Sequence, residues 1–398
     1  MKYDFDTVHE RRGTNCVKYE NDRTVCDSAL FPMWVADMDF QVLPEIRDAL
    51  RSRAEHGIFG YGHVSDAYRQ AVAGWMQRRH HFEVKPEWIV VTAGVVTAIG
   101  QAVLTFTQPD DAILVLKPVY YPFDRQVLDN GRRLAVSELQ LQDGHYEIDF
   151  EDLEKQLRDN DVKMIILSNP HNPVGRVFTR DELQKIGNLA KKYGVLVISD
   201  EIHMDFVYPG HEHVVFTEVD PSFKDFTIVA TAASKTFNLA ALATSNVIIP
   251  SDELREAYAA TIKAHGSGAS NIFGWDATQA AYTYGDAWVD ELLEYLQGNI
   301  AYMKEYLAEN IPEAKMIEPE GLYLVWVDFR GLGMDEKELE DFMLHKAHLY
   351  LDEGYIFGQG GAGFERFNLA LPRCELKRAL EQLGNAVKDW RAEKAAGV

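Results

Sequence analysis

The middle of the chain alternates short apolar runs with longer segments that carry apolar residues at helical spacing. Five apolar runs are WIVVTAG, DAILVLKP, VKMIILSNP, VLVISDEIH and FTIVATAASK. The stretches between them, such as RDELQKIGNLAKKYG, repeat apolar residues every three or four positions, which predicts amphipathic helices. Strands that are apolar throughout are typical of a parallel sheet covered by helices on both faces. We therefore predict an α/β fold with a mostly parallel sheet.

The pattern changes near Asp286. A long helical stretch over 288–310 leads into an alternating strand, LYLVWVDF, and then into another amphipathic helix. This order predicts a smaller α+β domain that is completed by the N-terminal segment. We expect a large domain over 46–286 and a small domain formed by 1–45 together with 287–398.

Composition and charge exclude several classes of partner. Lysine and arginine number 40 against 62 acidic residues, a formal net charge of -22 over 398 residues. Such a field repels nucleic-acid phosphates and anionic lipid surfaces, so we expect neither partner. The longest uncharged run, 88–109, contains polar residues and fits a strand, a turn and a helix better than a membrane span. A charged N-terminal stretch and only three cysteines favour a cytoplasmic protein with free thiols.

Three of the apolar runs lead into polar residues that carry candidate chemistry. SNPHNPVGRVF places Asn172 in a turn at a strand end, where ligands bind in parallel sheets. VLVISDEIH contains Asp200, a carboxylate that needs either a cation or a helix-capping role. Lys235 is the only charged residue between Asp225 and Asp252, and burial there favours its nucleophilic, uncharged amine. Taken singly, each residue also fits an ordinary role, namely a turn, a helix cap and a surface lysine.

Asn172, Asp200 and Lys235, in this order and each near a strand end, resemble the aspartate-aminotransferase fold family (fold type I) of pyridoxal-phosphate enzymes. The resemblance implies that Lys235 binds pyridoxal 5'-phosphate covalently and that Asp200 pairs with the pyridinium nitrogen. It implies that Asn172 bonds the ring hydroxyl. Tyr120, in KPVYYPF, matches the tyrosine that stacks on the ring, although its neighbour Tyr121 competes for this position.

The same resemblance assigns residues to the cofactor phosphate. TAGVVTAIG places Gly94, Val95 and Val96 at a predicted helix start, where free backbone N–H groups favour an anion. Ser234 adds a hydroxyl beside the lysine, and His203 lies near the ring by analogy with the family. Without the lysine motif, the glycine segment would be interpreted as an ordinary turn between a strand and a helix.

Further motifs imply a substrate site and a second subunit. Tyr61, in FGYGH, matches a tyrosine that reaches the phosphate from the partner subunit, which implies a homodimer. Arg373, in FERFNLALPR, matches the arginine that binds the substrate α-carboxylate. The segment MWVADMDF is similar to one that lines the substrate pocket through Trp34, Val35 and Ala36.

Together, these motifs resemble the cystathionine β-lyase branch, also described as cysteine-S-conjugate β-lyases. Many aminotransferases of this fold place an arginine shortly after the lysine, and TFNLAALATSN has none. Four positions depart from the branch: Ala241 for glycine, Cys16 for serine, Tyr19 for tryptophan and Lys117 for threonine. None touches a catalytic role directly, although Ala241 can alter packing beside the lysine.

The sequence thus predicts a carbon–sulfur β-lyase that converts cystathionine or a related cysteine S-conjugate to thiol, pyruvate and ammonia. Its predicted catalytic residues are Lys235, Tyr120 and Tyr61. The main alternative is a pyridoxal-phosphate-dependent class I/II aminotransferase, which uses the same lysine, aspartate and arginine.

Two other classes of function receive less support from the sequence. A regulatory or binding protein that keeps the fold is a further alternative, since fold does not determine function. A metal site is not predicted, because His211 with His213 and His80 with His81 lack a third ligand at a recognised spacing.

Overall fold

Alternating helices and strands make up most of the chain, of which the computed structural model describes residues 2–268 and 271–396. The α-helices in these residues are α1 (Asp22–Cys26), α2 (Pro44–His56), α3 (Asp66–His80), α4 (Val95–Phe106), α5 (Pro122–Leu128), α6 (Phe150–Asp159), α7 (Arg180–Tyr193), α8 (Ala233–Thr236), α9 (Asp252–His265), α10 (Ile272–Tyr284), α11 (Asp286–Asn310), α12 (Glu336–His345) and α13 (Arg373–Ala396). The strands are β1 (Phe31–Pro32), β2 (Ile89–Thr92), β3 (Ala112–Lys117), β4 (Arg133–Glu138), β5 (Gln140–Gln142), β6 (His145–Glu147), β7 (Val162–Ser168), β8 (Leu196–Asp200), β9 (Thr227–Thr231), β10 (Ser245–Ile248), β11 (Lys315–Met316), β12 (Leu324–Asp328), β13 (Leu349–Tyr350), β14 (Asp352–Glu353) and β15 (Phe364–Asn368).

Seven strands form the central sheet, in the order β2-β10-β9-β8-β7-β3-β4. Strands β9, β8, β7, β3 and β4 pair in parallel, whereas β10 runs antiparallel to both of its neighbours. This mostly parallel sheet confirms the predicted α/β fold. The uncharged run 88–109 forms strand β2 and helix α4, as predicted.

Helices cover both faces of this sheet. Successive residues of a strand point to opposite faces. Ile165 and Val197 accordingly pack in one apolar cluster with residues of α7, while Ile166 and Ile198 pack in another with residues of α4. The strands are therefore buried on both sides, and polar residues are confined to the strand ends, where ligands can reach them.

Local signals in the sequence set the ends of the helices that flank the site. Thr179 and Glu182 form a reciprocal capping box at the start of α7, and Gly194 ends that helix at φ 65°. Helix α4 instead begins after Gly94, at φ 122° and without a side-chain cap. The first N–H groups of α4 are thus not satisfied by a capping side chain.

A four-stranded antiparallel sheet, β11-β12-β15-β14, forms a second layer after α11. Helix α11 starts at Asp286, where the sequence pattern changes. Strand β1 pairs with β13, so the N-terminal segment contacts this C-terminal part of the chain. The N–H of Met38 also donates to Oδ1 of Asn238 at 3.0 Å, so the N-terminal segment contacts both parts. The domain boundaries at 46 and 286 stay a prediction.

The structure also reports on membrane helices and thiols. None of the helices within 2–268 and 271–396 has the length and apolar character that a membrane crossing requires. Cys16, Cys26 and Cys374 are free thiols, and the last two are exposed.

Gly187 is expected to resist substitution because helix α7 packs closely on Phe223. A Cβ at position 187 would lie 2.0 Å from the Cζ of Phe223, a buried ring that stacks on Phe216. We expect Gly187→Ala to lower the free energy of unfolding by about 1–3 kcal/mol, as overpacked cores do, although alanine favours helices. Urea denaturation measures this change.

Gly74→Ala, within α3, is the matched control. Its new Cβ would meet only the flexible Nη1 of Arg78, at 3.0 Å. We expect this variant to be neutral or to stabilise the protein by up to about 1 kcal/mol through helix propensity. Equal losses of stability in the two variants would contradict the packing explanation.

Candidate active site

A cavity of about 220 Å³ opens at the carboxyl ends of the central strands. Residues from β7, β8, α4 and α8 meet there, together with the loop before α2. The predicted site residues on its wall are Ala36, Gly94, Val95, Val96, Tyr120, Asn172, Asp200, His203, Ser234 and Lys235. Residues that are far apart in sequence therefore converge, as expected for the edge of a parallel sheet.

Lys235 lies in the short helix α8, directly after β9. Its Nζ donates a hydrogen bond to the carbonyl oxygen of Ala36 at 2.7 Å. Burial, together with the nearby Arg366, lowers the pKa of Lys235 to about 8, although Asp37 and Asp200 oppose this shift. A substantial fraction of the amine is therefore uncharged and nucleophilic near pH 8.

Asp200 ends strand β8 and is buried. Its Oδ1 accepts a hydrogen bond from the N–H of Ile202 at 3.1 Å. Burial raises the pKa of Asp200 to about 7, while that N–H and Lys235 act in the opposite direction. A cationic nitrogen placed against this carboxylate would offset the cost of burying its charge.

His203 is a buried, neutral side chain on the cavity wall. Burial lowers its pKa well below 6.5, and the charges of Lys235 and Arg366 act in the same direction. Its ring lies edge-on to Tyr323, with 6.1 Å between the ring centres. Its Nδ1 has no hydrogen-bond partner among the described residues.

Asn172 is oriented by an arginine that the sequence analysis missed. Arg366, on β15, donates from Nη1 to the Oδ1 of Asn172 at 2.9 Å and from Nη2 to the carbonyl of Trp34 at 3.0 Å. With its oxygen engaged, Asn172 keeps the amide Nδ2 to donate into the cavity. Arg366 is buried and pairs with Asp352 on the neighbouring strand. The available signal was a charged pair inside an otherwise apolar strand, FERFN.

The start of α4 offers backbone donors at one end of the cavity. A Cβ on Gly94 would meet no atom within 4 Å, so space remains beside this backbone. The N–H of Gly94 donates to the Oγ of Ser245 at 3.1 Å. The N–H groups of Val95 and Val96 belong to the first turn of α4, where no earlier helical carbonyl accepts from them. They remain as donors for an anion.

The structure distinguishes the two neighbouring tyrosines. Tyr120 lies on the cavity wall, edge-on to Phe123, and burial raises its pKa to about 12. Tyr121 instead packs edge-on against Phe357, with 5.7 Å between the ring centres, and does not reach the wall. Tyr120 is therefore the tyrosine that faces a ligand in the cavity.

Three predicted residues lie outside the cavity wall of their own chain. The side chain of Tyr61 is fully exposed. The ring of Trp34 stacks on Tyr350 at 4.9 Å, and Val35 contributes a carbonyl that Asn368 binds. Of the MWVADMDF segment, only Ala36 reaches the wall.

Arg373, predicted to bind the substrate, also lies outside the cavity wall of its own chain. It is the first residue of α13, and its Nε donates to Oδ1 of Asn299 at 2.6 Å. Its guanidinium lies over the ring of Tyr302. Arg366, seven residues earlier, is the arginine beside Asn172, because β15 directs it toward the site.

Two of the four histidines considered for a metal site each form a hydrogen bond with a single carboxylate. His80 pairs with Asp205 at 2.8 Å and His213 with Glu201 at 2.9 Å. In the part of the chain that the structure describes, no group of three or more His, Cys, Asp or Glu side chains is arranged to hold a metal ion.

The four departures from the branch pattern do not line the cavity. Ala241 is exposed, between the wall residues Ala240 and Ala243. Lys117 pairs with Asp124. Cys16 and Tyr19 lie in the N-terminal segment, away from the wall.

The chemistry of the cavity fits pyridoxal 5'-phosphate. Asp200 supplies a buried anion for the ring nitrogen, and the amide of Asn172 supplies a donor for the ring hydroxyl. The Val95 and Val96 N–H groups suit a phosphate, and Lys235 supplies an amine of lowered pKa. Each polar group of the cofactor thus has a complementary group on the wall.

Comparison with known proteins agrees with this chemistry. Residues 33–383 match the family model for aminotransferase class I and II. Cystathionine beta-lyase PatB from Bacillus subtilis is 42% identical over 384 residues, or 96% of this chain and 99% of the relative. Cystalysin from Treponema denticola, which contains a pyridoxal 5'-phosphate cofactor, superposes with a TM-score of 0.95 and 40% identity over 98% of this chain and 100% of its own. The PLP-bound C-S lyase from Staphylococcus hominis gives a TM-score of 0.90 and 34% identity over 97% and 98% of the two chains.

The lowered pKa of Lys235 predicts an unusual pH dependence for its reaction with acylating reagents. In cofactor-free protein, we expect its modification rate to rise with pH and to level off above about 8, where the amine is uncharged. Ordinary lysines have a pKa of about 10.4, so their modification rates should continue to rise at higher pH. Mass spectrometry of a peptide digest measures Lys235 and these internal controls together. Parallel pH profiles for all lysines would contradict the assignment.

Proposed function

This chain belongs to the aminotransferase class I and II family, and we propose that it is a pyridoxal-phosphate-dependent carbon–sulfur β-lyase. Its substrates are cystathionine or related cysteine S-conjugates, and its products are thiol, pyruvate and ammonia. One observation carries the proposal: Lys235, Asp200 and Asn172 meet in one cavity of a chain that is 42% identical to a cystathionine β-lyase. The similarity spans nearly all of both chains, so it includes every element that forms the cavity.

The cofactor of this protein is pyridoxal 5'-phosphate. When bound, it supplies a sink for the electron pair left at the substrate Cα after proton loss. We assign Lys235 as its covalent attachment, Asp200 as the partner of its ring nitrogen and Asn172 as the donor to its ring hydroxyl. The N–H groups of Val95 and Val96 bind its phosphate at the start of α4.

Lys235 moves the proton in this mechanism. With the substrate bound, the free Lys235 amine would remove the Cα proton. A lysine pKa of about 8 suits this base, because a fraction of the amine is uncharged near neutral pH. The Cβ–S bond then breaks, and the sulfur leaves with the bond electrons as a thiolate. The remaining three-carbon fragment takes up water to give pyruvate and ammonia.

We assign the binding of the substrate α-carboxylate to Arg366. A planar guanidinium can donate two parallel hydrogen bonds to a carboxylate. Arg366 is anchored by Asp352, Asn172 and the Trp34 carbonyl, and its buried Nε has no partner among the described residues. The carboxylate would thus be held beside the ring-binding Asn172, which places the substrate Cα near Lys235.

The aminotransferase alternative is less favoured. An aminotransferase would use the same lysine, aspartate and arginine but would return the proton to the cofactor carbon. After Lys235, where many aminotransferases carry an arginine, Ala243 and Thr244 line the cavity. The lyase also agrees with the named activities of PatB and the Staphylococcus hominis enzyme.

The active protein is proposed to be a homodimer with Tyr61 of the partner subunit at each site. Ile58, Phe59 and Tyr61 form an exposed apolar segment with accessibilities of 68%, 56% and 112%. Contiguous exposed apolar side chains are typical of a contact surface. A cytoplasmic location stays a prediction.

The lyase and the aminotransferase differ in their products. Purified, cofactor-loaded protein incubated with cystathionine, without any keto acid, should release pyruvate and free thiol in equal amounts. The Lys235→Ala variant should lose this activity, because it lacks the base. If the only reaction is transfer of amino groups after a keto acid is added, the aminotransferase assignment is correct. Full lyase activity in Lys235→Ala would contradict the mechanism.

The assignment of Arg366 separates two arginines of one motif. We expect Arg366→Lys to lower kcat/KM for cystathionine by about 100-fold or more, because a lysine cannot hold Asn172, Asp352 and the Trp34 carbonyl and also donate to the substrate. Arg373→Lys should change kcat/KM by less than about threefold, since its side chain contacts Asn299 outside the cavity. Steady-state kinetics of both variants test this. A larger loss of kcat/KM in Arg373→Lys than in Arg366→Lys would instead assign the binding of the substrate carboxylate to Arg373.

A further inference from the structure

Four consecutive carbonyl groups of the pocket segment, Trp34–Asp37, each accept a hydrogen bond from a side chain. Arg366 binds the first of them, as described above. Asn368 binds both the carbonyl of Val35, at 2.7 Å, and that of Asp37, at 2.6 Å. We call this segment the carbonyl strip. Three of its four carbonyls are held by side chains of β15, and one turn within the segment adds a hydrogen bond from the N–H of Asp37 to the Val35 carbonyl at 2.9 Å.

Asn368 is suited to this contact by its chemistry. It is 1% exposed on β15, two residues beyond Arg366 and therefore on the same face of the strand. Its Nδ2 provides both donors to the strip, and its Oδ1 accepts from the N–H of Ala370 at 2.9 Å. Two donors on one nitrogen, with an acceptor beside them, are specific to an amide side chain.

The carbonyl of Ala36 lies between the two carbonyls that Asn368 holds. It accepts from the Nζ of Lys235 at 2.7 Å and from the hydroxyl of Tyr323 at 3.0 Å. Fixing the peptide groups on either side leaves this carbonyl little freedom to turn, since each peptide unit is planar. The Ala36 carbonyl is thus directed by β15 together with Tyr323, while its donor, Lys235, lies in α8, directly after strand β9 of the central sheet.

We propose that Asn368 is a positioning residue of the lyase site, which aims the Ala36 carbonyl at the Lys235 amine so that this carbonyl holds the amine whenever it is not joined to the cofactor. The inference rests on the proposed function, because it concerns the base of that reaction. A carbonyl that accepts one N–H fixes the direction of the nitrogen lone pair. It also stabilises the protonated amine after the proton transfer.

Charged and titratable groups from several elements also face Lys235. They are Asp37, Asp200, Asp352, Arg366 and His203. Substitution of Asn368 leaves all of them in the chain. A change in the proton affinity of Lys235 in such a variant therefore reports on the strip.

The chain contains a matched control, Asn299. This asparagine is also fully buried, and its Nδ2 likewise donates to two carbonyls, those of Leu369 and Leu371, both at 2.9 Å. Its Oδ1 accepts from Arg373, outside the cavity. Asn368→Ala and Asn299→Ala each remove three hydrogen bonds, two of them from Nδ2 to backbone carbonyls, but only Asn368 contacts the carbonyl strip directly.

The experiment compares these variants with the wild-type protein. Cofactor-free protein is incubated with pyridoxal 5'-phosphate across a pH series and reduced with borohydride, and the fraction bound covalently is read from the intact mass. We expect Asn368→Ala to move the midpoint to lower pH by about half a unit or more, because the protonated amine loses its acceptor. Its loaded form should show a kcat for thiol release about tenfold lower, with KM little changed.

The control and the remaining outcomes make the proposal falsifiable. Asn299→Ala should keep the wild-type midpoint pH, and its kcat should stay within about twofold of the wild-type value. An unchanged midpoint in Asn368→Ala, or equal shifts in both variants, would overturn the proposal. If Asn368→Ala fails to fold, Asn368→Ser, which retains one donor, should show a smaller shift in the same direction, and its absence would equally overturn it. Because the midpoint pH is measured without substrate, it tests the positioning role of Asn368 even if the wild-type protein proves to be an aminotransferase.

Discussion

Burial of unlike charges at one edge of an apolar sheet is the constraint on which the rest of this structure depends. Asp200 ends strand β8, and Lys235 follows strand β9. Both strands are covered on both faces, so neither side chain is exposed to bulk water. Burial moves their pKa values in opposite directions, to about 8 and about 7. Burial thereby favours the uncharged, nucleophilic form of the amine, whereas the carboxylate keeps its charge most readily when a cation lies against it.

The remaining parts of the site satisfy or direct these buried groups. Helix α4 supplies N–H donors at one end of the cavity, and the amide of Asn172 stays available because Arg366 occupies its oxygen. The carbonyl strip 34–37 connects the two sheets, since it is held by β15 and itself holds Lys235. Arg366, the proposed substrate arginine, and Lys235, the proposed base, are therefore joined by one short stretch of backbone.

The comparison of sequence and structure is most informative at the two arginines of FERFNLALPR. Both residue types suit a carboxylate, and the motif does not say which side chain enters the site. Strand pairing decides this, because β15 places Arg366 opposite Asp352 and beside Asn172, whereas Arg373 begins α13 and contacts Asn299. Tyr120 and Tyr121 differ for the same kind of reason, since only one of two adjacent side chains faces the cavity.

The sequence by itself determined the α/β class, the alternation of buried strands and helices, and the convergence of Asn172, Asp200 and Lys235. These follow from local periodicity and from the rule that parallel strands end at one edge. Only the tertiary structure decided which arginine contacts the cavity residue Asn172, that Gly94 donates its N–H to Ser245, and that Asn368 holds the pocket backbone. Those contacts depend on register and side-chain direction between distant segments, where a shift of one residue exchanges the inward and outward faces of a strand.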